Sequence, residues 1–331
     1  MTTSILSGMR PTGKLHLGNY FGALKNWVDL QEQGFQCHYF VADWHAITTK
    51  HDETENIRQN SIDMVKDWLA AGLDPERSTM FVQSLVKQHA ELFTVLAMIT
   101  PVGWLERCPT YKEQKEQLGE TRTANYGFLG YPVLQSADIL LYSADFVPVG
   151  EDQLPHLEIT REIARRFNYL YGNVLKEPQA KLTAVPKLAG TDGRKMSKSY
   201  GNVIDMSEEA DDLWQKVRQM VTDPARVRKT DPGDPSICSV FDYHKLFSDA
   251  TQCSELSDGC VNASIGCMDC KKQLCAHMES FIEPMRQRRA GISDKDAMEI
   301  LHRGSHNAAL RAEELMVEVR KSMRLDMECI R

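Results

Sequence analysis

The chain has 331 residues, enough for one large domain with a satellite or for two domains of ordinary size. With 42% hydrophobic and 26% charged residues it has the composition of an ordinary globular protein, and it contains no run of about 18 apolar residues able to span a bilayer. The net charge of −7 leaves no global basic footprint, so any nucleic-acid contact must come from local patches. Residues 1–6 carry no basic patch followed by an apolar stretch, so neither signal nor transit peptide is read there. A cytoplasmic location is therefore expected.

Residues 4–8, 17–33, 37–42, 53–71 and 79–83 alternate short apolar runs with amphipathic stretches, a β-α-β-α-β rhythm that predicts a parallel sheet with helices on both faces. Gly72 and Pro75 punctuate the second helix where a C-terminal stop belongs. Residues 134–142, 146–149 and 153–167 extend the pattern with helix, strand and helix. After Pro186 the character changes: residues 190–201 form a glycine-rich basic stretch that reads as a mobile loop. Beyond it, strand-like runs nearly vanish in favour of helical patterns over 211–221, 270–286 and 307–323. The expected fold is α/β, with a Rossmann-type parallel sheet in residues 1–190 and a helical domain in residues 191–331. Ligands are expected beyond the carboxyl ends of the strands.

Gly8-Met9-Arg10-Pro11-Thr12-Gly13-Lys14 matches most of a phosphate-binding P-loop. Leu15 stands where that motif needs a hydroxyl for Mg²⁺, and Pro11 removes a backbone N–H that would cradle phosphate. The same segment offers a different phosphate chemistry in His16-Leu17-Gly18-Asn19. This motif lies at a helix start, where His16 and Asn19 share a face and can donate to phosphate oxygens, and where Gly18 lets a flat ring approach the backbone. Far along the chain, Lys195-Met196-Ser197-Lys198-Ser199 places two lysines three apart in the basic loop. Mobile ammonium groups of this kind stabilise the charge that develops around phosphorus during nucleotidyl transfer.

HLGN followed by KMSKS resembles the HIGH and KMSKS signature of class I aminoacyl-tRNA synthetases; the second motif is matched letter for letter, the first at two of four letters. Residues 131–142 (YPVLQSADILLY) and 147–153 (VPVGEDQ) resemble the amino-acid-binding helix and ATP-contacting turn of bacterial tryptophanyl-tRNA synthetases, and the similarity runs over nearly the whole chain. This resemblance implies a homodimer that binds ATP with Mg²⁺, L-tryptophan and tRNA(Trp), with no membrane or DNA partner, and a helical domain that reads the anticodon. It implies that Arg10, Pro11, Thr12, Gly18, Asn19, Gly150, Glu151, Asp152, Lys195, Met196, Ser197, Lys198 and Ser199 surround ATP, with Lys195, Lys198 and His16 as the catalytic set. It further implies that Asp138 accepts the indole N–H, that Tyr131 and Gln153 lie near the amino and carboxylate groups, and that Gln135 stands one turn before Asp138, where the family often has a larger apolar residue. Trp44 and His45 follow a strand and are left outside the site, a Trp there being more often core. Arg226, Arg228 and Lys229 form a basic patch suited either to tRNA phosphates or simply to solvent.

Cys238, Cys253, Cys260, Cys267, Cys270 and Cys275 crowd one segment, which points to metal before disulfide. Cys238, Cys260, Cys267 and Cys270 can bring four thiolates together, and sulfur ligation alone suits either Zn²⁺ or an iron–sulfur cluster. A subset of bacterial tryptophanyl-tRNA synthetases carries a [4Fe–4S] cluster on a similar motif with one residue more in its first gap. The resemblance thus favours the cluster, with Cys253 as a substitute for Cys260 if the segment folds otherwise. The tyrosine enzyme, a P-loop NTPase and a cysteine-based redox protein are the competing readings.

Overall fold

The computed structural model describes residues 3–182 and 188–327, so Pro186 lies outside the described residues. Its sheet contains β1 (Ser4–Met9), β2 (Gln36–Val41), β3 (Ser78–Val82), β4 (Phe146–Val149) and β5 (Gln179–Leu182). All neighbours are parallel, in the order β3-β2-β1-β4-β5. The order reverses between β1 and β4, so a crevice opens beyond their carboxyl ends, at Arg10 and Gly150.

The helices are α1 (Leu17–Asn19), α2 (Lys25–Glu32), α3 (Asp43–Ile47), α4 (Ile57–Ala71), α5 (Gln88–Ile99), α6 (Val102–Glu106), α7 (Pro109–Leu118), α8 (Glu120–Thr123), α9 (Tyr126–Leu141), α10 (Leu154–Tyr171), α11 (Ala210–Gln219), α12 (Ser239–Phe247), α13 (Ala250–Val261), α14 (Cys267–Ala290) and α15 (Asp294–Ser322). None of the helices in the described residues is long and apolar enough to cross a membrane.

Alternate strand residues enter opposite faces of the sheet, as a period of two requires. Ile5, Tyr39, Val41 and Met80 pack with Trp27 of α2 and Trp68 of α4, where Trp27 stacks on Tyr39 with ring centroids 4.5 Å apart. Leu6, Phe40 and Phe81 pack on the other face against α5, α9 and α10. Gly72 ends α4 at φ +115°, a left-handed conformation that glycine adopts without a Cβ clash. The sequence pattern assigns no element between residues 83 and 134, yet α5 to α8 fill it. Helix α5 is wedged among α9, α10 and α15 and is largely apolar, so it lacks a single clean stripe. Edge strand β5 also has no apolar run, because it is four residues long and carries Gln179 and Lys181.

Helices α11, α12 and α14 build a separate core from Leu213, Val217, Val240, Tyr243, Leu274, Met278 and Ile282. Helix α15 instead returns to the sheet, burying Ala308, Ala312, Met316 and Val319 in the core that holds Leu6 and Phe81. The helices after residue 190 are therefore not all confined to one layer. The approach of α15 to β3 depends on Gly304, where an added Cβ would stand 1.8 Å from the Met80 carbonyl oxygen, while Ser305 Oγ accepts the outward Val82 N–H at 3.1 Å.

Gly304→Ala is expected to cost about 3 kcal/mol or more, because two backbones must separate, which outweighs the roughly 1 kcal/mol helix preference of Ala over Gly. Gly103→Ala, where a Cβ would meet nothing within 4 Å, serves as the control. Equal thermal midpoints for the two variants would disprove the close-approach argument.

Candidate active site

The loop leaving β1 is held by contacts distant in sequence. Leu15 N–H donates to Asp67 Oδ2 at 2.7 Å, Leu17 N–H to the Ile204 carbonyl at 2.9 Å, and Met206 N–H to the Leu15 carbonyl at 2.9 Å. His16 caps α1: its Nδ1 accepts the Asn19 N–H at 3.3 Å, and Asn19 Oδ1 accepts the His16 N–H at 3.1 Å. This reciprocal cap uses one side-chain acceptor from each residue and fixes the imidazole proton on Nε2. His16 Nε2–H and the Asn19 amide N–H₂ therefore remain as donors. Burial first, then Lys198, draws the His16 pKa down to about 4, so the imidazole is neutral at pH 7. The helix then passes through a π turn, Tyr20–Leu24, which the periodicity did not reveal; Gly22, Ala23 and Asn26 on and after it face the cavity.

The KMSKS loop lies directly on this segment. Lys198 Nζ donates to the Thr12 carbonyl at 2.7 Å, and buried Met196 places Sδ 3.4 Å from Gly18 N. A Cβ on Gly18 would meet His16 Nδ1 at 2.9 Å and Met196 Sδ at 3.4 Å, so the glycine is required by this contact. Lys195 is exposed, and Ser197 Oγ and Ser199 Oγ are 2.8 Å apart. The loop is shaped by Asn202, which sequence reasoning missed: it is 2% exposed, its Oδ1 accepts the Ser197 N–H at 2.8 Å, and its Nδ2 donates to Asp192 Oδ1 and the Lys195 carbonyl. The segment read as mobile is, in this conformation, an anchored turn.

Between the ends of β1 and β4 lies a cavity of about 370 Å³. Arg10, Gly150, Tyr131, Gln135, Asp138 and Gln153 all line it, whereas Pro11, Thr12, His16, Gly18 and Asn19 lie along the loop beside it and Glu151 and Asp152 form the turn after Gly150. Gln153 Nε2 donates to Asp152 Oδ2 at 2.8 Å. His45, left out of the sequence-based site, lines the cavity too, with Nε2 2.9 Å from Asp138 Oδ2. Asp138 is 1% exposed and is held from beneath by His89 Nδ1 at 2.6 Å and by Gln83 Nε2 at 2.8 Å from both oxygens. Burial would raise its pKa, but the His89 and His45 contacts outweigh burial and hold the carboxyl below the usual carboxylate value. A second, apolar cavity of about 420 Å³ adjoins at Thr48 and is lined by Trp44, Phe93 and Tyr126; it holds no convergent charged groups.

The family description "tRNA synthetases class I (W and Y)" matches residues 2–283. The chain belongs to that family. A tryptophan–tRNA ligase of Thermotoga maritima is 52% identical and one of Aquifex aeolicus 45% identical, each alignment covering 97% of this chain and 99% of the relative. The crystal structure of tryptophanyl-tRNA synthetase from Campylobacter jejuni complexed with ADP and tryptophane superimposes with a TM-score of 0.88 at 35% identity, covering 97% of this chain and 100% of that one. This synthetase thus has the Rossmann-like class I fold with a helical C-terminal region, and its activity is that of an aminoacyl-tRNA ligase.

In the cysteine segment of the synthetase, Cys238 precedes α12, Cys260 lies near the end of α13, and Cys267 and Cys270 begin α14. Burial and then the charges of the Cys238, Cys260 and Cys267 thiols push the Cys270 pKa up to about 12. Among the described residues, however, no three His, Cys, Asp or Glu side chains converge tightly enough to hold a metal ion, and the Zn²⁺ alternative finds no such set. Cys253 Sγ donates to the His244 carbonyl at 3.3 Å. Arg226 is also not a free phosphate ligand. It donates to the Ile265 carbonyl at 2.6 Å and to Cys260 Sγ at 3.5 Å, which leaves Arg228 and Lys229 as the exposed part of the basic patch.

Proposed function

We propose that this synthetase activates L-tryptophan with Mg²⁺-ATP and transfers it to tRNA(Trp) as a homodimer in the cytoplasm. The enzyme is a tryptophan–tRNA ligase, in keeping with relatives of that activity aligned over nearly its full length. The observation that carries the mechanistic reading is the Lys198–Thr12 contact, which spans 186 residues and joins the KMSKS loop to the segment just after Arg10, a residue that lines the cavity with Asp138. The tryptophan carboxylate attacks the α-phosphorus, a P–O bond to the leaving pyrophosphate breaks, and a terminal ribose hydroxyl of tRNA later takes the aminoacyl group from AMP. No side-chain nucleophile is required, because positioning and charge stabilisation suffice.

In this reading Arg10, Gly150 and the turn through Glu151 and Asp152 face ATP together with Pro11, Thr12, Gly18, Asn19 and residues 195–199. His16 Nε2–H, Lys195 and Lys198 act on the phosphates. The indole N–H, a donor only, meets the ionised Asp138. Tyr131 and Gln153 face the α-amino and carboxylate groups, and Gln135 borders the ring. The helices that follow the KMSKS loop, apart from α15, read the anticodon. Amino-acid-dependent ATP–pyrophosphate exchange run across the twenty amino acids tests the assignment: exchange with tryptophan alone is expected. Exchange with tyrosine in its place would overturn the substrate, and ATP hydrolysis without any amino acid would overturn the reaction class.

Cys238, Cys260, Cys267 and Cys270 would hold a [4Fe–4S] cluster. Such a cluster takes four thiolates, and the charges of Cys238, Cys260 and Cys267 all act on Cys270. Two features of the chain fit the group. Arg226 Nε is buried without a hydrogen-bond partner beside Cys260, and a buried donor of that kind calls for an acceptor. Gly233 leaves room at the same spot, where a Cβ would meet Cys260 Sγ at 2.7 Å. The cluster would brace α12, α13 and α14 against one another. Anaerobically purified protein should be brown and contain iron and inorganic sulfide, and Cys260→Ser should lose both; colourless protein with one zinc per chain would rule the cluster out.

A further inference from the structure

The wall of the cavity beside Tyr131 contains a second buried polar chain that the reading above does not use. Tyr131 Oη lies 3.2 Å from His156 Nε2, and His156 Nδ1 lies 3.7 Å from Cys108 Sγ. All three residues are buried: Tyr131 is 7% exposed, His156 2% and Cys108 3%. Tyr131 comes from α9, His156 from the first turn of α10 and Cys108 from the residue capping α7, so three separate helices bring the chain together. Tyr131 and His156 both border the cavity.

A neutral imidazole has one donor and one acceptor nitrogen, so only two proton arrangements are self-consistent. In one, Cys108 S–H donates to Nδ1, Nε2–H donates to Tyr131, and the phenol hydrogen is left pointing into the cavity. In the other, Tyr131 O–H donates to Nε2, Nδ1–H points to the sulfur, and the phenol oxygen turns its free lone pairs toward the cavity. A phenol O–H is a much stronger donor than a thiol, so the second arrangement makes the better hydrogen bond. His156 also stays neutral under ordinary conditions. Burial, then His45, lowers its pKa to about 4 against the opposing pull of Asp152.

We infer that His156, oriented by Cys108, is a positioning residue that fixes the Tyr131 hydroxyl as an acceptor and thereby makes the cavity select substrates bearing an α-ammonium group. The inference rests on the reading that Tyr131 faces the substrate amino group. An ammonium brings donors only. With its own hydrogen committed to His156, Tyr131 can accept from that ammonium without first reorienting. Without an acceptor behind it, the hydroxyl hydrogen would be trapped between the ammonium and an apolar wall, an unpaired buried donor that exists only in the bound state.

The experiment compares His156→Gln, His156→Asn and Tyr131→Phe in tryptophan-dependent pyrophosphate exchange, with 3-indolepropionate, which lacks the amino group, as competitive inhibitor. Glutamine can set its side-chain oxygen near the position of Nε2 and accept from Tyr131; asparagine reaches only the Nδ1 side. His156→Asn is expected to raise KM for tryptophan about tenfold while KM for ATP and Ki for indolepropionate stay within about twofold, and His156→Gln should remain near wild type. Adding His156→Asn to Tyr131→Phe should cause no further loss. Equal weakening of tryptophan and indolepropionate, equal defects in the Gln and Asn variants, or additive losses in the double variant would each overturn the positioning role. If Tyr131→Phe by itself leaves KM for tryptophan unchanged, the placement of Tyr131 at the ammonium fails, and the inference fails with it.

Discussion

Asp138→Ala is expected to raise the tryptophan concentration needed for half-maximal exchange by roughly 10² or more and to lower the thermal midpoint at the same time. The two effects have distinct origins. On the substrate side, an indole N–H leaving water finds no acceptor in the variant. On the protein side, Gln83, His45 and His89 all converge on this carboxylate, and its loss strands their N–H groups, each at about 1–3 kcal/mol if left unpaired. Asp138→Asn keeps the volume but replaces one acceptor oxygen by a donor that faces other donors, so it isolates the loss of an acceptor from the loss of packing. The pH dependence has a definite sign. The folded carboxyl titrates below its unfolded value of 3.8, so the stability gained from its ionised form is complete above that value and lost as the pH falls through the lower folded one. The stability gap between wild type and Asp138→Asn should therefore narrow below about pH 4. An Asp138→Ala variant with the wild-type KM would place the indole acceptor elsewhere.

How much of this site could be read from the sequence depended on whether a residue's role is local. HLGN and KMSKS are contiguous, and their chemistry follows from residue type and spacing; the β-α-β rhythm is likewise written in periods of two and 3.6. Asn202, His45, His89 and His156 act across 5 to 93 positions of chain, and nothing in the flanking sequence distinguishes a histidine that orients a carboxylate from one that fills a core. Asp138 shows the boundary well. Its apolar i+3 and i+4 neighbours Leu141 and Tyr142 are buried, as their residue types suggest, but the partners that make a buried charge tolerable come from α3, the turn after β3 and α5. The patch around Arg226 misled for a related reason: an arginine next to exposed cations reads as surface, and only the fold shows that it turns in toward Cys260. The edge strand β5 and helix α5 escaped because one is too short and polar and the other too evenly apolar to carry a period.

Removing the lysines of the KMSKS loop should affect the chemical step far more than tryptophan binding. Lys195→Ala and Lys198→Ala are each expected to slow adenylation by roughly 10²–10³ while tryptophan affinity stays within about twofold, since their ammonium groups gain most when negative charge moves onto the departing pyrophosphate. The two lysines are not equivalent in the structure. Lys198 is half-buried and already fastened to the Thr12 carbonyl, with burial drawing its pKa below the ordinary lysine value against the pull of Asp205 and Asp67, whereas Lys195 is exposed. Lys198→Ala therefore also releases the loop from the β1 segment and should raise KM for ATP. Lys195→Ala should leave that contact, and KM for ATP, in place. Because both act on one charge from one loop, the double variant should lose less than the product of the two single losses. Single-turnover adenylate formation measured with ATP and tryptophan varied in turn reads these quantities directly. Rates equal to wild type in both single variants would remove the lysines from the catalytic machinery, and identical ATP dependence in the two would show that the Lys198–Thr12 contact does not hold the loop.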